Sequence, residues 1–504
     1  MFSKLAPSTA LLLASVILFR PGLGATNEPA PSIESLFRTI DLNIGQQAEV
    51  KLCDGTSATV KLVALEERRD PVRDAVREAR VTVEVNGKQA TLVSAYYRLP
   101  VVVGGVQIDC AATKGIVRPD ENPWALDTDA RFRIWPAGSP WIQPGTFSYP
   151  AKQKWFASDT QMANDPVYVD GGELPSNKKV YYHWGLDIGG AEGLVEVVAA
   201  ANGTVVSLGT NVLEGIDKST PVKPRSDVVY LRDNRGWYHR YSHLHTIEPS
   251  LKLGQRVAMG QKIGILGKEG ASGGWSHLHF DLSAMQPSGR YGIVEGYAFL
   301  WQAYHDSHNT PVEAVARPHQ LTWTGEPVTL DGSRSWSRRG PEHIRSHEWT
   351  FCDGTTASGA KVERIYPRAG MYTEILRVTD DEGQFDYDIA AVQVIDRQHP
   401  EQAPPSIHPV FWPTEGIKPG DEITFKVRSF RVAPDEGQET WDFGDGTPKV
   451  QVRSDGAAVK LAKDGYAITT HRYAKPGDYL VSVQRTNLRG ETAINRLHVR
   501  VGTK

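Results

Sequence analysis

The segment Ser-His-Leu-His-Phe-Asp-Leu, residues 276–282, restricts the fold of this chain more than any other segment. Successive side chains of an extended strand point to opposite faces, so one face carries His277, His279 and Asp281 while the other carries Leu278, Phe280 and Leu282. Two imidazoles therefore project together from a strand whose reverse side suits a core. Histidine pairs at this spacing also occur on ordinary surfaces, so a functional interpretation needs support from other segments.

Two earlier segments supply that support. VYYHWGLDIGG, residues 180–190, places His183 and Asp187 around Gly185, and the strand-like flanks favour a strand running into a turn over a helix face. YSHLHTI, residues 241–247, offers further imidazoles. Two imidazole nitrogens and one carboxylate oxygen suit Zn²⁺ with a fourth position open to water, which is the arrangement of a catalytic site.

The side chains of YSHLHTI, residues 241–247, would also alternate between two faces. As a strand it would place Tyr241, His243 and His245 on one face, with Leu244 on the other. For Tyr241 we expect packing rather than a place in the cleft, and for His245 a surface position. Ser272 is expected to form a turn.

Together, H-x-G-x-D, Y-x-H-L, KLGQRVAMGQKIGILG (252–267) and SHLHF resemble the lysostaphin/LytM-type zinc metallopeptidases, over about Val180 to Met285. The resemblance implies a duplicated-hybrid-motif β fold. It also implies the roles of five residues: zinc ligands His183, Asp187 and His279, and catalytic histidines His243 and His277. The insertion TNVLEGIDKSTPVKPRS, residues 210–226, is expected to form a loop near the cleft.

The resemblance implies hydrolysis of an amide bond. Zinc lowers the pKa of a bound water from about 15.7 to about 7 and polarises the scissile carbonyl. One histidine takes the proton and passes it to the leaving amine, and the other stabilises the developing oxyanion. We assign His277 as the base and His243 as the stabiliser; the reverse order stays open.

An internal repeat follows residue 311. WTFCDG (349–354) and YPRAGMY (366–372) match WDFGDG (441–446) and YAKPGDY (473–479). Both copies resemble the PKD domain, which implies immunoglobulin-like β-sandwiches, although Cys352 replaces a glycine in the first. The repeated aromatic residues are expected in the cores, and a polymer or protein ligand of the repeats is possible.

The region before the histidine segments is a third β-rich part. Alternating runs joined by Asn86-Gly87 predict a hairpin, and no catalytic motif is evident. The charged stretch at residues 66–80 predicts a solvated helix or loop. Only three cysteines are present, and in an oxidising compartment Cys53 and Cys110 would be the pair.

Composition and the N-terminal residues limit the possible partners and locations of the protein. The 504 residues carry 56 Lys and Arg against 59 Asp and Glu, a net charge of −3, which gives no general attraction for nucleic acid. Residues 1–25 resemble a signal peptide, with Lys4, a short apolar run and small residues before the cut, so we expect an exported protein, periplasmic or extracellular, without a membrane span in the mature chain.

The predicted fold class is mainly β. The predicted domains are an N-terminal β module (30–145), the zinc peptidase (146–305) and two PKD-like sandwiches (312–396 and 407–502). The favoured function is an exported zinc metalloendopeptidase for peptidoglycan cross-links. The alternatives are a non-catalytic cell-wall-binding or adhesion protein with a vestigial zinc site, and a zinc peptidase with another protein substrate.

Overall fold

The structure is a computed structural model. It describes residues 32–502 except 95, 119–120, 167–173, 175, 177–179, 181, 458 and 460. The expected signal peptide, residues 1–25, lies outside the described residues. Strands account for 47% of the structure and helices for 4%, which confirms the mainly β fold class. Within the described part of the chain, no helix is long and apolar enough to cross a membrane.

The N-terminal module is built from two antiparallel sheets with a common core. Its strands are β1 (Arg38–Leu42), β2 (Gln47–Lys51), β3 (Ser57–Arg69), β4 (Val76–Val85), β5 (Lys88–Ser94), β6 (Val101–Val103), β7 (Val106–Thr113) and β8 (Ala130–Pro136), with a 3₁₀ turn at Lys114–Ile116. One sheet has the order β1-β8-β7-β6 and the other β2-β3-β4-β5. The predicted hairpin is present between β4 and β5: Asn86 and Gly87 have φ of 49° and 77°, as a two-residue turn of this kind requires.

The expectation for the charged stretch is wrong. Residues 66–80 form the end of β3, a turn and the start of β4, and the turn buries Asp70 and Arg73 while Pro71 and Asp74 stay exposed. Asp70 accepts backbone hydrogen bonds from Val72 and Arg73, at 3.0 and 2.6 Å. Arg73 and Arg77 then reach out of the module to the segment around residue 165, where the cost of burying their charge is offset by hydrogen bonds and ion pairs.

The expected disulfide is also absent. All three cysteines are free. Cys110 lies in the core of the N-terminal module, where burial raises the pKa of its thiol to about 12. Cys53 instead donates to the carbonyl of Leu36 at 3.1 Å. Spacing along the chain could not show that these two side chains have different environments.

The region that carries the histidine segments contains two further sheets. Its elements are β9 (Thr160–Gln161), β10 (Leu186–Gly189), β11 (Glu196–Val198), β12 (Gly203–Leu208), β13 (Asn211–Val212), β14 (Val229–Asp233), β15 (Tyr238–Ser242), β16 (Leu244–Ile247), β17 (Arg256–Val257), β18 (Lys262–Leu266), β19 (His277–Met285), β20 (Tyr291–Val294) and α1 (Tyr297–Ser307). The larger sheet has the order β13-β12-β14-β15-β19-β10-β9, and β11-β18-β16 form the smaller.

Strand β19 lies in the middle of the larger sheet, between β15 and β10. Its apolar face is fully buried, with Leu278, Phe280 and Leu282 all 0% exposed. Each such side chain stabilises the fold by about 1.5–3 kcal/mol relative to an exposed one. The strand that presents the two histidines is therefore anchored by the alternation seen in the sequence.

The two repeats are β structures that follow α1. The first contains β21 (Val312–Glu313), β22 (Gln320–Trp323), β23 (Pro327–Asp331), β24 (Trp336–Ser337), a 3₁₀ turn (Pro341–His343), β25 (Ile344–Thr350), β26 (Thr356–Ser358), β27 (Lys361–Ile365), β28 (Gly370–Asp380) and β29 (Phe385–Ile395). The second contains β30 (Ser406–Trp412), β31 (Ile423–Phe430), β32 (Glu439–Asp442), β33 (Val450–Val452), β34 (Ala467–His471), β35 (Gly477–Thr486) and β36 (Thr492–Val501).

The repeated aromatic residues pack as expected. Trp349 and Trp441 are 0% exposed, and Tyr366 and Tyr473 are buried beside them. The two copies also share one sheet, because β28 pairs with β36 in parallel at Met371 and Ala493. This continuity across the repeats was not evident from their sequences.

Candidate metal centre

Strand register brings two of the expected ligands together. Asp187 on β10 is the antiparallel partner of His279 on β19. Side chains of directly opposed residues lie about 4.5–5.5 Å apart at Cβ and share one face of the sheet. The pairing of two distant segments therefore places a carboxylate beside an imidazole.

His183 joins them from just before β10. Its backbone N–H donates to Asp165 and its carbonyl accepts from Asn164, both at 2.8 Å. Between His183 and Asp187 the chain turns at Gly185, with φ of 113°, and a Cβ there would lie 2.9 Å from that of Asp281. The glycine of H-x-G-x-D is thus required both by its backbone conformation and by the close approach of β19.

Three donor atoms meet at this point. His183 Nε2 lies 3.0 Å from His279 Nδ1, and Asp187 Oδ1 lies 3.2 and 2.9 Å from those two nitrogens. Donors at about 2.0–2.2 Å around a tetrahedral zinc lie about 3.3–3.6 Å apart, slightly more than the separations here. The three atoms fit a metal ion of this size, and all three side chains are buried.

The outer nitrogen of each ligand histidine is held by an acceptor. His183 Nδ1–H donates to the carbonyl of Met162 at 3.2 Å, and His279 Nε2–H donates to Asp281 at 3.1 Å. The inner nitrogens therefore turn lone pairs towards each other and towards the carboxylate. Without a proton or a cation between them, these atoms would repel, and this support of the outer nitrogen is usual for metal-binding histidines.

The local field favours positive charge. Burial by itself raises the pKa of the Asp187 carboxyl, but the surrounding imidazoles, His183 first, hold that pKa well below its usual range. Burial lowers the pKa of His279, yet hydrogen bonds with Asp187 and Asp281 give a net rise. An anionic carboxylate and a histidine stabilised in its charged form describe a pocket suited to a cation.

Two more imidazoles border the three donors. His277 Nε2 lies 3.4 Å from Asp187 Oδ1, and its Nδ1–H donates to the carbonyl of Trp275 at 3.1 Å. The His243 ring lies 4.7 Å from that of His277, and its Nδ1–H donates to the carbonyl of Glu269 at 2.6 Å. The structure thus brings all five expected residues into one site.

Both of these histidines are neutral at pH 7. Burial lowers the pKa of His277 to about 4, and burial followed by the nearby His277 and His279 lowers the pKa of His243 well below its usual range. Since each Nδ1–H is engaged, each Nε2 carries a lone pair. Both rings are therefore able to accept a proton.

The expected common face of Tyr241, His243 and His245 is wrong. His243 has φ of 66°, between β15 and β16, which breaks the strand alternation. Its backbone N–H donates to Asp227 at 2.9 Å, which stabilises this turn. Tyr241 points into the core, accepting from Ala200 N at 2.8 Å, and so packs as expected.

The end of the insertion approaches His243. Arg225 makes two hydrogen bonds to Asp227, at 2.5 and 2.6 Å, and its Nη2 lies 3.3 Å from His243 Nδ1. The expected proximity of this loop to the site therefore holds at its last residues. Ser272 donates to the Lys268 carbonyl and accepts from Gly274 N, so it forms the expected turn.

His245 belongs to a second cluster. It is partly exposed, and its Nδ1 lies 3.1 Å from Glu269 Oε1 and 3.9 Å from Glu192 Oε1. Lys268 Nζ forms an ion pair with the same Glu192 oxygen. This group has metal-binding residue types, but an ammonium group already neutralises its buried carboxylate.

Three groups near the site could not be anticipated from the motifs. Asp165 is buried beside Arg77 at 3.2 Å, and burial raises the pKa of its carboxyl to about 6. Trp275 stacks on His277 with ring centroids 3.9 Å apart. Arg73 donates to the carbonyl of Pro166 at 3.0 Å. Trp275 lies next to a motif without belonging to it, and nothing in the sequence linked the two arginines to residues about 90 positions away.

Comparison with known proteins identifies three regions. A model described as Peptidase family M23 matches residues 181–289, and models described as PKD domain match residues 308–394 and 410–499. The chain therefore carries a peptidase family M23 domain followed by two PKD domains. The match to peptidase family M23 over residues 181–289 suggests metallopeptidase activity.

Three solved structures are similar to parts of the chain. The PKD1 domain of Vibrio anguillarum Epp is 28% identical over 16% of this chain and 89% of its own, with a TM-score of 0.14. A peptidase M23 candidate from Pseudomonas aeruginosa is 16% identical over 55% of this chain and 97% of its own, with a TM-score of 0.19. Helicobacter pylori Csd3 is 15% identical over 50% and 75%, with a TM-score of 0.21.

Proposed function

We propose that this chain, with its M23 domain and two PKD domains, is an exported zinc metalloendopeptidase that hydrolyses amide bonds in peptidoglycan cross-links. The observation that carries the proposal is the triangle of donor atoms from His183, Asp187 and His279, bordered by two neutral imidazoles. A closed structural site would need a fourth protein ligand, whereas three ligands leave a position for water or substrate. The complete donor set weighs against a vestigial site.

In the proposed site, His183, Asp187 and His279 hold the zinc. When bound, zinc acts as a Lewis acid that polarises the scissile carbonyl and makes a water molecule acidic enough to attack near neutral pH. The remaining chemistry is proton transfer and charge stabilisation by His277 and His243.

His277 is the proposed base. Its Nε2 lone pair accepts the proton of the attacking water, while the Trp275 carbonyl holds Nδ1–H and so fixes the tautomer. The imidazolium formed lies 3.4 Å from Asp187 Oδ1, whose negative charge stabilises it. The same proton then passes to the leaving amine.

His243 is the proposed stabiliser of the carbonyl oxygen. Burial, then the neighbouring His277 and His279, make a lasting positive charge on the His243 ring costly, whereas Asp187 lies 3.4 Å from His277, which favours His277 over His243 as the base. To donate from Nε2, His243 takes a proton from solvent. The negative charge developing on the substrate oxygen offsets the cost of that imidazolium.

The substrate and location are further parts of the proposal. The resemblance to lysostaphin/LytM-type enzymes supports peptidoglycan, and the signal-like residues 1–25 support export. PKD domains are typical of extracellular proteins, in agreement with this location. A near-zero net charge implies that recognition of the wall depends on local contacts in the cleft and on the β modules.

The test uses purified chain without residues 1–25. We expect about one zinc per chain and the release of new amino groups from cell-wall sacculi, with loss of activity after chelation and recovery with zinc. A mass spectrum of the products identifies the bond cut. Zinc-loaded protein that is inert on both sacculi and Gly-rich peptides would contradict the proposal, and cleavage of other proteins alone would reassign the substrate.

A further inference from the structure

The short segment Gly274–Ser276 leads directly into His277, and the second PKD domain holds it in place. Three side chains of that domain donate to, or accept from, main-chain atoms of the peptidase domain, two of them in this segment. Main-chain contacts of this kind fix the path of the backbone. The segment therefore depends on a domain more than 100 residues further along the chain.

The first contact is made by Tyr466, which is buried. The backbone N–H of Ser276 donates to Tyr466 Oη at 2.8 Å, and that hydroxyl donates to His408 Nδ1, also at 2.8 Å. Burial lowers the pKa of His408 to about 3, so its ring is neutral and Nδ1 is an acceptor.

The hydrogen-bond chain continues beyond His408. Its Nε2–H points to Ser158 Oγ at 3.3 Å, and that hydroxyl donates to the carbonyl of Pro409 at 2.6 Å. In this series of hydrogen bonds, each N–H or O–H has one acceptor, and every bond donates in the direction from Ser276 towards Pro409. Removing the Tyr466 hydroxyl would leave both the Ser276 N–H and His408 Nδ1 buried without partners, which is costly.

Arg428 makes the second contact. It is 0% exposed, its Nε and Nη2 donate to Asp455 at 2.9 and 2.7 Å, and its Nη1 donates to the carbonyl of Gly274 at 2.6 Å. Since the guanidinium is planar and held by the bidentate pair, its third nitrogen has a fixed direction. Gly274 is thus restrained by a rigid group.

Lys426 makes the third contact, with a different segment of the peptidase domain. Its Nζ donates to the carbonyl of Glu192 at 2.6 Å. Strand β31, which carries Lys426 and Arg428, therefore touches backbone on two segments of the peptidase domain. The contacts are spread over a surface and are not a single bond.

Trp275 transmits these restraints to the base. Its indole stacks on the His277 ring, with centroids 3.9 Å apart and planes at 21°, and its carbonyl accepts from His277 Nδ1. The edge of the indole meets the His408 ring at 5.1 Å. Trp275 therefore sets both the ring plane and the tautomer of His277. Its two neighbours, Gly274 and Ser276, are hydrogen-bonded to the second PKD domain.

We propose that the second PKD domain completes the active site, with Tyr466 and Arg428 as positioning residues that hold Trp275 against His277. This inference rests on the proposed role of His277 as the base. The domain is then required for turnover itself, in addition to any ligand it binds.

The first test compares Tyr466→Phe with Tyr473→Phe in the full chain. Tyr473 is another buried tyrosine of the same domain, and its hydroxyl donates to the Phe443 carbonyl at 3.0 Å, inside the domain. We expect Tyr466→Phe to lower kcat about tenfold or more, with KM within about twofold and zinc content unchanged. Tyr473→Phe should leave kcat unchanged.

A second pair of variants tests the role of Trp275. Trp275→Phe keeps an aromatic ring against His277, and Trp275→Leu does not, while both keep the backbone carbonyl. We expect Phe to retain most of the wild-type kcat and Leu to lose about tenfold or more at equal zinc content. Equal kcat for both variants would refute positioning by the stacked ring, and this pair remains informative if Tyr466→Phe does not fold.

A readout independent of turnover separates this inference from the proposed function. Modification of His277 by diethyl pyrocarbonate, followed by peptide mass spectrometry, reports how well the ring is held. We expect modification at least about threefold faster in Tyr466→Phe than in Tyr473→Phe. Equal modification rates together with equal kcat would overturn the inference, whereas wild-type inactivity with a faster rate in Tyr466→Phe would refute only the proposed function.

Discussion

The described residues of the peptidase domain include two clusters of imidazole and carboxylate groups that differ in what surrounds them. The first consists of His183, Asp187 and His279, and the second of Glu192, His245 and Glu269. In both, the donor atoms lie within 4.8 Å of one another. By residue type and distance alone, the two clusters are equivalent candidates for a metal.

The two clusters differ in the environment of their donor atoms. In the first cluster every side chain is buried, and each outer imidazole nitrogen has an acceptor that fixes its orientation. In the second, Lys268 neutralises Glu192, while His245 and Glu269 remain partly exposed. A metal there would have to displace an ammonium group and break the hydrogen bond between His245 and Glu269. The support around the donors therefore makes the first cluster the candidate metal centre and the second an ion-pair cluster.

The largest expected effect comes from His279→Ala. Two protein ligands are left, so we expect loss of zinc and a fall in kcat/KM of about 10⁴-fold or more, towards the background. Metal analysis and turnover on sacculi measure both quantities. Full zinc occupancy in this variant would move the metal site away from the first cluster.

His277→Ala should separate metal binding from catalysis. All three ligands remain, so zinc content should stay near one per chain while kcat falls by about 10² to 10⁴, the usual contribution of a positioned acid–base group. His243→Ala, measured in parallel, distinguishes the base from the stabiliser. Normal turnover of His277→Ala would show the assigned role to be wrong.

Lys268→Met tests the ion pair of the second cluster. Removing the ammonium leaves the buried Glu192 carboxylate without its partner, and breaking a buried pair in this way costs about 3–5 kcal/mol of unfolding free energy. The control is Lys262→Met, because Lys262 and Glu196 form an exposed pair worth at most about 1 kcal/mol. Urea unfolding measures both. Equal losses would mean that Lys268 does not stabilise the cluster.

A buried histidine outside both clusters, His305, gives a pH prediction. Burial, then Arg338 and His308, lower the pKa of His305 to about 3. The unfolded chain binds this proton from about pH 6.5 downwards and the folded chain does not, so stability is lost as the pH falls from 6.5 towards 3. At pH 5 the cost is about 2 kcal/mol.

His305→Phe measures that cost. The substitution keeps a ring against Trp336, whose centroid lies 4.9 Å from that of His305, and removes the titrating group. Relative to wild type, its unfolding free energy should rise by about 2 kcal/mol between pH 7.5 and pH 5. The buried carboxyls of Asp159 and Asp165, each with a pKa raised to about 6 by burial, titrate in the opposite sense in both proteins and cancel in this difference.

His245→Ala should have the smallest effect. Its imidazole lies outside the first cluster and is half-exposed, so we expect zinc content to be unchanged and kcat/KM to stay within about twofold of wild type. The same metal and turnover assays apply. A loss of activity comparable to that of His277→Ala would place His245 among the catalytic groups and remove the distinction between the clusters.

Part of the site could be predicted because it depends on patterns within short stretches of sequence. Alternation in SHLHFDL gave the common face of His277 and His279, and the repeated W-x-F-x-D-G motifs gave two further β domains. The register between β10 and β19 was not predictable from either segment alone. The same holds for the left-handed conformation of His243, since it depends on Asp227 accepting its backbone N–H.

The N-terminal module shows most clearly which features could not be predicted from the sequence. Its hairpin followed from Asn86-Gly87, yet its charged stretch was assigned to solvent because ten charges in fifteen residues normally are solvated. Burial of Arg73 and Arg77 depends on acceptors supplied by residues 165 and 166. The expected Cys53–Cys110 disulfide failed for a related reason, because one thiol lies in the core and the other does not.

By itself, the sequence determined the mainly β fold class, the ligand types and the order of the motifs, because strand alternation and turn chemistry act over a few residues. Only the tertiary structure showed how the surroundings of the two clusters differ, with buried donors in the first and an ammonium group beside the buried carboxylate in the second. It also decided that Tyr466 and Arg428, far along the chain, lie against the backbone before His277. The cost of burying a charge or leaving a hydrogen bond unmade is set by neighbours in space, and those neighbours are distant in sequence.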